Sequence, residues 1–398
     1  MSRSFSPMRR CLPMGIVFAM LLLAACSSQP LIKTPATLYI AINPDHGAHG
    51  ILALRLQDGT QRWFAPSQGY VSAPVLANGT LYTDAFALHA ANGKLLFTYS
   101  SPAYSSFSLH PVILSDKIYL PGQTDLSVFN RSTGGLLSYY PMNIRGFDST
   151  NYNLATEDGV VFLRTYGPPN PMYVDQNVQY IAAIRLVDGK RLWQMPVDDA
   201  DSVPFITVAN GIVYTKIIKD HNRAVPEIKL DALDAHTGRL LWQRPEGYST
   251  DFGAPPIVGN RLYISGQSGV EALDALTSKL LWFWRHTQFG EEAPLITANN
   301  HLYVLQYCGC AIPGEAADLP SKGSHLTTLW ALRLSDGSVA WQKQFPVSAS
   351  RLVYQDGILA FIGNSTSVYA VQATDGALLW HKSLNGPVGA ARDLSVGE

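Results

Sequence analysis

Charge is scarce in this chain of 398 residues: Asp, Glu, Lys and Arg together make up 15% of it, as 29 basic and 30 acidic residues. So even a balance leaves no basic face for a polyanion, and no nucleic-acid partner is expected. Cysteine is scarcer. Of four cysteines, Cys11 and Cys26 precede the body of the chain and only Cys308 and Cys310 lie within it, which excludes a disulfide-built scaffold. The apolar run at residues 12–23 falls short of the roughly 20 residues that span a bilayer. A helical period is missing too, so helix bundles and alternating α/β folds are excluded. What is plentiful is apolar surface, 47% of residues, enough for a sizeable core and against disorder.

The short apolar run has another use. Arg3, Arg9 and Arg10 precede it, and Leu23-Ala-Ala-Cys26-Ser27 follows. Basic, apolar and small-then-cysteine segments in this order resemble a bacterial lipoprotein signal. The resemblance implies that residues 1–25 are removed, that Cys26 is lipidated, and that residues 26–37, with Pro30 and Pro35, form a tether to a single domain at 38–398. An ordinary secretory peptide is the alternative. The expected location is extracytoplasmic and membrane-anchored: on an outer membrane facing the periplasm in a two-membrane envelope, or on the outer face of the cell membrane in a single-membrane one. Removal of the leader leaves 26 basic and 30 acidic residues, a net charge of −4.

One pattern then recurs along the whole domain. Residues 232–242 read Ala-Leu-Asp-Ala-His-Thr-Gly-Arg-Leu-Leu-Trp, and copies stand at 53–59 with Trp63, 87–93 with Phe97, 128–134, 183–189 with Trp193, 272–278 with Trp282, 331–337 with Trp341 and 370–376 with Trp380. An alternating strand runs into a glycine turn, whose positive φ suits a tight hairpin with a bulge. A returning strand places a large ring four residues on. Ahead of most copies comes another hairpin, with Asn-Gly, Asp-Gly or Gly-Asn at 78, 158, 210, 259 and 356 and a Leu-Tyr-like strand after it. Eight copies of about 40–50 residues, four strands each, predict an all-β, eight-bladed propeller of four-stranded antiparallel blades. The first copy lacks its opening strand, and residues 387–392 are expected to supply it beside residues 38–42, closing the ring. Two copies depart from the pattern: the third offers Tyr139 for the tryptophan, and the sixth has Ser278 for glycine. Both blades are expected to be looser.

Over residues 38–392 the motif resembles the pyrroloquinoline-quinone (PQQ) type of propeller repeat. The enzymes of that family imply PQQ stacked on a tryptophan, a calcium ion, an aspartate base and two adjacent cysteines. No adjacent cysteines occur here, and the tryptophans fall mainly at the repeat position. Trp63, Phe97, Trp193, Trp242, Trp282, Trp341 and Trp380 are therefore assigned to docking between blades. No catalytic residue is assigned, and neither PQQ nor calcium is expected. In layout the chain is similar to the eight-bladed lipoprotein family of outer-membrane assembly factors, which implies a non-catalytic scaffold with envelope-protein partners at its loops. A PQQ-dependent dehydrogenase or metal-binding propeller enzyme is the alternative.

Four loops carry the remaining chemistry. Cys308-Gly-Cys310 opens the longest insertion; the pair suits a disulfide, or a metal with His325 as third ligand, or two free thiols. Asp45, His46 and His49 could hold zinc, and Asp198, Asp199 and Asp201 could offer oxygens to calcium, though neither forms a complete ligand set. The rigid loop 167–171, Gly-Pro-Pro-Asn-Pro, is a candidate recognition surface.

Overall fold

Turn chemistry lays out the fold. At Asn78-Gly79, Asp158-Gly159, Asn210-Gly211 and Asp356-Gly357 both residues have positive φ, from 49° to 80°, the type I′ geometry that matches strand twist. In the second hairpin of seven repeats a single glycine turns left-handed, Ser278 taking its place in the sixth, and its N–H closes the turn on the carbonyl four residues back, as from Gly238 to Asp234 at 2.8 Å. Just before each such turn the strand register slips by one, for example between Ala232 and Leu233. The bulge follows the small residue in all eight copies.

A computed structural model describes residues 35–44, 47–99, 111–121, 125–141, 154–166, 179–197, 202–219, 227–246, 254–266, 269–285, 291–292, 295–308, 326–384 and 394–397. Among them are 33 strands and no helix, arranged as eight antiparallel sheets. Seven sheets have four strands; the seventh blade counts five, because its opening strand is broken into Glu291–Glu292 and Ile296–Ala298, both on His301–Cys308. The first blade joins the two ends of the fold. Leu394–Gly397 pairs with Thr37–Ile42, followed by His49–Arg55 and Gln61–Ser67. Among the described residues the closing strand is Leu394–Gly397, further along the chain than the expected 387–392, which lie outside the described residues. Register explains the shift, since Val396 stands opposite Leu38 and packs on the cluster shared by blades eight and one.

The core is divided like the sheets. Eight clusters of buried apolar side chains each join two successive blades, from Tyr39 and Leu81 between blades one and two to Leu38 and Ala360 between blades eight and one. Side chains alternate between the two faces of a strand, so every inner strand feeds two clusters. This makes a propeller ring of eight blades, each gripped from both sides. Antiparallel order also sorts the connections: hairpin turns within the first and second strand pairs share one face, the near face. Links between second and third strands, and from blade to blade, fall on the far face.

Candidate functional site

Each turn glycine seats an aromatic ring from the blade before it. A methyl group at these glycines would lie between 2.4 Å (Gly134 under Phe97) and 2.7 Å (Gly238 under Trp193) from the ring, so only hydrogen fits. Trp63 sits over Gly93, Trp282 over Gly337, Trp341 over Gly376, and Trp380 over Gly59 across the closure. The indole N–H then donates to the carbonyl three residues before the turn glycine: Trp63 to Ala90, Trp193 to Ala235, Trp282 to Leu334, Trp341 to Ala373 and Trp380 to Leu56, at 2.8–3.1 Å. Trp242 donates to Ala275 in the same way, although the turn residue there is Ser278. Ser278 takes φ +59° and closes its turn at 2.8 Å, as the glycines do, so the sixth turn is not loosened.

The third blade corrects one expectation. Tyr139 is exposed; it is Tyr140 whose ring covers Gly189 and whose hydroxyl donates to the Val187 carbonyl at 2.8 Å. Ser138 stands at the usual ring position opposite Val128. Period-two geometry brings the side chain two residues further on, and not its neighbour, to the same face. Sequence reasoning also missed a second donor. The tyrosines of the Leu-Tyr strands aim at the carbonyl already bound by the indole: Tyr39 at Ala90, Tyr214 at Ala275, Tyr263 at Leu334 and Tyr303 at Ala373. Two donors per carbonyl use both lone pairs. The recurrence of Tyr after Leu was the available signal.

An ionic group lies between blades five and six. Lys216 is almost fully buried beside the Phe205 ring. Arg244 pairs with Glu246 at 3.1 Å and, through its other nitrogen, with Glu271 of blade six. Burial raises the Glu246 carboxyl to about 7; Arg244 opposes the shift, Glu271 adds to it, and Lys216 opposes it again. At the register position of Arg244, blades one and four carry Ala65 and Met195.

On the near face, open clefts follow the seams. One of about 530 Å³ between blades two and three is crossed by Arg131, which donates to the Tyr82 hydroxyl and to the carbonyls of Ser115 and Ala77. Another of about 500 Å³ between blades six and seven holds Arg261, Arg333 and His301, with Arg261 donating to the Leu334 carbonyl. The outer strands begin on this face with aliphatic pairs. Leu95 and Leu96, Leu136 and Leu137, Leu240 and Leu241, Leu280 and Leu281, and Leu378 and Leu379 are 40–53% exposed, and Leu192 and Val339 supply one residue each in blades four and seven. Blade one has Gln61 and Arg62 instead.

The loops that the sequence singled out connect strand ends of the far face. His49 opens the second strand of blade one, its ring 5.0 Å from that of Tyr70; Asp45 and His46 lie outside the described residues. Cys308 ends the strand His301–Cys308 with its backbone opposite Leu326. Cys26, Cys310, His325, the loop 167–171 and Asp198, Asp199 and Asp201 lie outside the described residues. Among the described residues, no three His, Cys, Asp or Glu side chains are grouped to hold a metal.

Eight blades, seven of the turns seating an aromatic ring on glycine and one on Ser278, define a propeller of PQQ-like repeats. The family model described as outer membrane protein assembly factor BamB matches residues 146–343 and 325–397, well over half of the chain, and the chain belongs to that family. BamB of Yersinia pestis is 29% identical over 144 residues, 36% of this chain and 35% of its own length. BamB of Legionella pneumophila (strain Paris) is 28% identical over 183 residues, 42% and 41% of the two chains. A tetrathionate hydrolase of Acidithiobacillus ferrooxidans is 23% identical over 221 residues, 51% and 41%. The matches thus span about two fifths of these relatives' own lengths or less. In fold, BamB from Moraxella catarrhalis superposes with a TM-score of 0.51 at 14% identity, covering 85% of this chain and 92% of that one. A quinohemoprotein alcohol dehydrogenase from Pseudomonas putida HK5 does so at 0.55 and 13%, covering 88% and 69%. Such identities show the fold alone.

Proposed function

We infer that this chain is a lipid-anchored, extracytoplasmic, non-catalytic scaffold that takes part in outer-membrane protein assembly through contacts of its propeller with other envelope proteins. The observation that carries the non-catalytic part is where the tryptophans go. Six of the eight indoles in the sequence donate to the next blade. The other two, Trp284 and Trp330, meet edge-on between blades six and seven, with Trp330 donating to Gln306. A quinone needs an open aromatic face and a calcium shell, and indoles engaged in docking between blades support the reading without one. Family membership supports the assembly role, and the order of basic, apolar and cysteine segments supports the anchor.

Crosslinking of the chain in its native membrane, followed by identification of what it captures, tests the assignment. Capture of proteins of outer-membrane assembly is the expected result. Saturable dye-linked oxidation of alcohols or sugars after addition of PQQ and calcium would overturn it, and so would capture of lipid without protein.

A further inference from the structure

The outer strands of a free propeller have no reason to begin with paired leucines. Each such pair lies at the near-face end of its strand, so seven of the eight blades carry exposed aliphatic side chains at one height around the ring. The blade without them is the one where the chain leaves. There Arg62 donates to the Pro35 carbonyl and to the Thr37 hydroxyl, and the Leu56 N–H donates to the Ala36 carbonyl. Residues 35–37 are thereby tied down at the near face. From Pro35 back to Cys26 the chain has nine residue steps, about 30 Å at full extension. Anything attached at Cys26 is therefore within about 30 Å of the face that carries the leucines.

We propose that this aliphatic rim rests on the lipid bilayer, so that the near face is the membrane side and the far face, with the long links, is turned to the aqueous space. The proposal rests on the lipidation of Cys26. A bilayer is the occupant because the band is circumferential: a planar surface meets seven blades at once, whereas one protein partner covers two or three. Apolar side chains at the edge of a disc need to enter only the headgroup and upper acyl region, as those of interfacial elements do. The mature charge of −4 gives no attraction to anionic lipid, so the contact is apolar and insensitive to salt.

Two measurements separate the rim from the anchor. Mass analysis of the purified protein reads the modification of Cys26, and an unmodified cysteine removes the anchor alone. For the rim, a photoreactive residue replaces Leu241 on the near face or Tyr70, 72% exposed on the far side, in full-length protein reconstituted into phosphatidylcholine vesicles. Phospholipid adducts at 241 and none at 70 are expected; equal labelling, or no lipid at 241, overturns the proposal. The Cys26→Ser chain supplies an anchor-free arm. It is expected to float with the same vesicles equally at low and high salt, and to bind about tenfold more weakly with Leu240, Leu241, Leu280 and Leu281 changed to serine, while its unfolding midpoint shows that the variant is folded. Binding that survives the four serines, or no flotation by the Cys26→Ser chain, also overturns it.

Discussion

Gly238 and Ser278 occupy the same turn position in neighbouring blades with φ of +71° and +59°, and they make opposite predictions. Ser278 holds a left-handed conformation that costs a residue with a Cβ about 1–2 kcal/mol. Ser278→Gly is therefore expected to stabilise the protein by about 1 kcal/mol, since glycine's greater freedom in the unfolded chain offsets part of the relief. At Gly238 a methyl group would bring both the φ penalty and a 2.7 Å approach to Trp193. Gly238→Ala is expected to cost about 3 kcal/mol. Denaturant unfolding of both variants checks the pair, and equal effects would show that ring seating does not govern the turn. At Ser278 the clasp is kept by the Trp242–Ala275 bond at 3.1 Å, the same length as those of Trp282 and Trp341.

At the scale of the blade, the ionic group between blades five and six sets a pH dependence. Glu246 has a folded pKa near 7 against an ordinary 4.5, so between these values the folded state binds more protons than the unfolded one. Stability is then greatest below about 4.5 as far as this group is concerned, and falls as pH rises to 7. Arg244, Lys216 and Glu271 stay in place in Glu246→Gln, which removes the titration together with the ion pair to Arg244. That variant is expected to exceed the parent at pH 8 by about 3 kcal/mol at most and to flatten the slope between pH 4.5 and 7 in thermal unfolding. A parallel slope in parent and variant would show that Glu246 does not titrate in this window. This group was hidden from sequence reading because its members lie on two strands of one blade and one of the next. The turns were legible because Thr-Gly and Asn-Gly act locally. Tyr140 fell between the two cases: its role needed only strand alternation, but the doubled glycine at 134 and 135 drew attention to its neighbour.

For the whole molecule, blade count and ring closure could be read from repetition alone, whereas the residues that close the ring could not. Gly386-Pro-Val resembled the opening strands in composition, yet Leu394–Gly397 has the register that sets Val396 on the shared cluster. Removal of residues 394–398 is expected to lower the unfolding midpoint by about 5 °C or more and to increase aggregation, because Thr37–Ile40 loses one of its two partner strands and becomes a bare edge. A midpoint unchanged by the deletion would show the ring closed by Trp380 on Gly59 without the strand. The shared blade also sets an order of assembly. Blades two to eight can form while the chain is still being made, but the first-made strand waits for the last residues before its sheet is complete. A stalled or clipped chain therefore carries its weakest point at its beginning, and a chain permuted to start at another blade-to-blade link would move that waiting edge elsewhere in the ring.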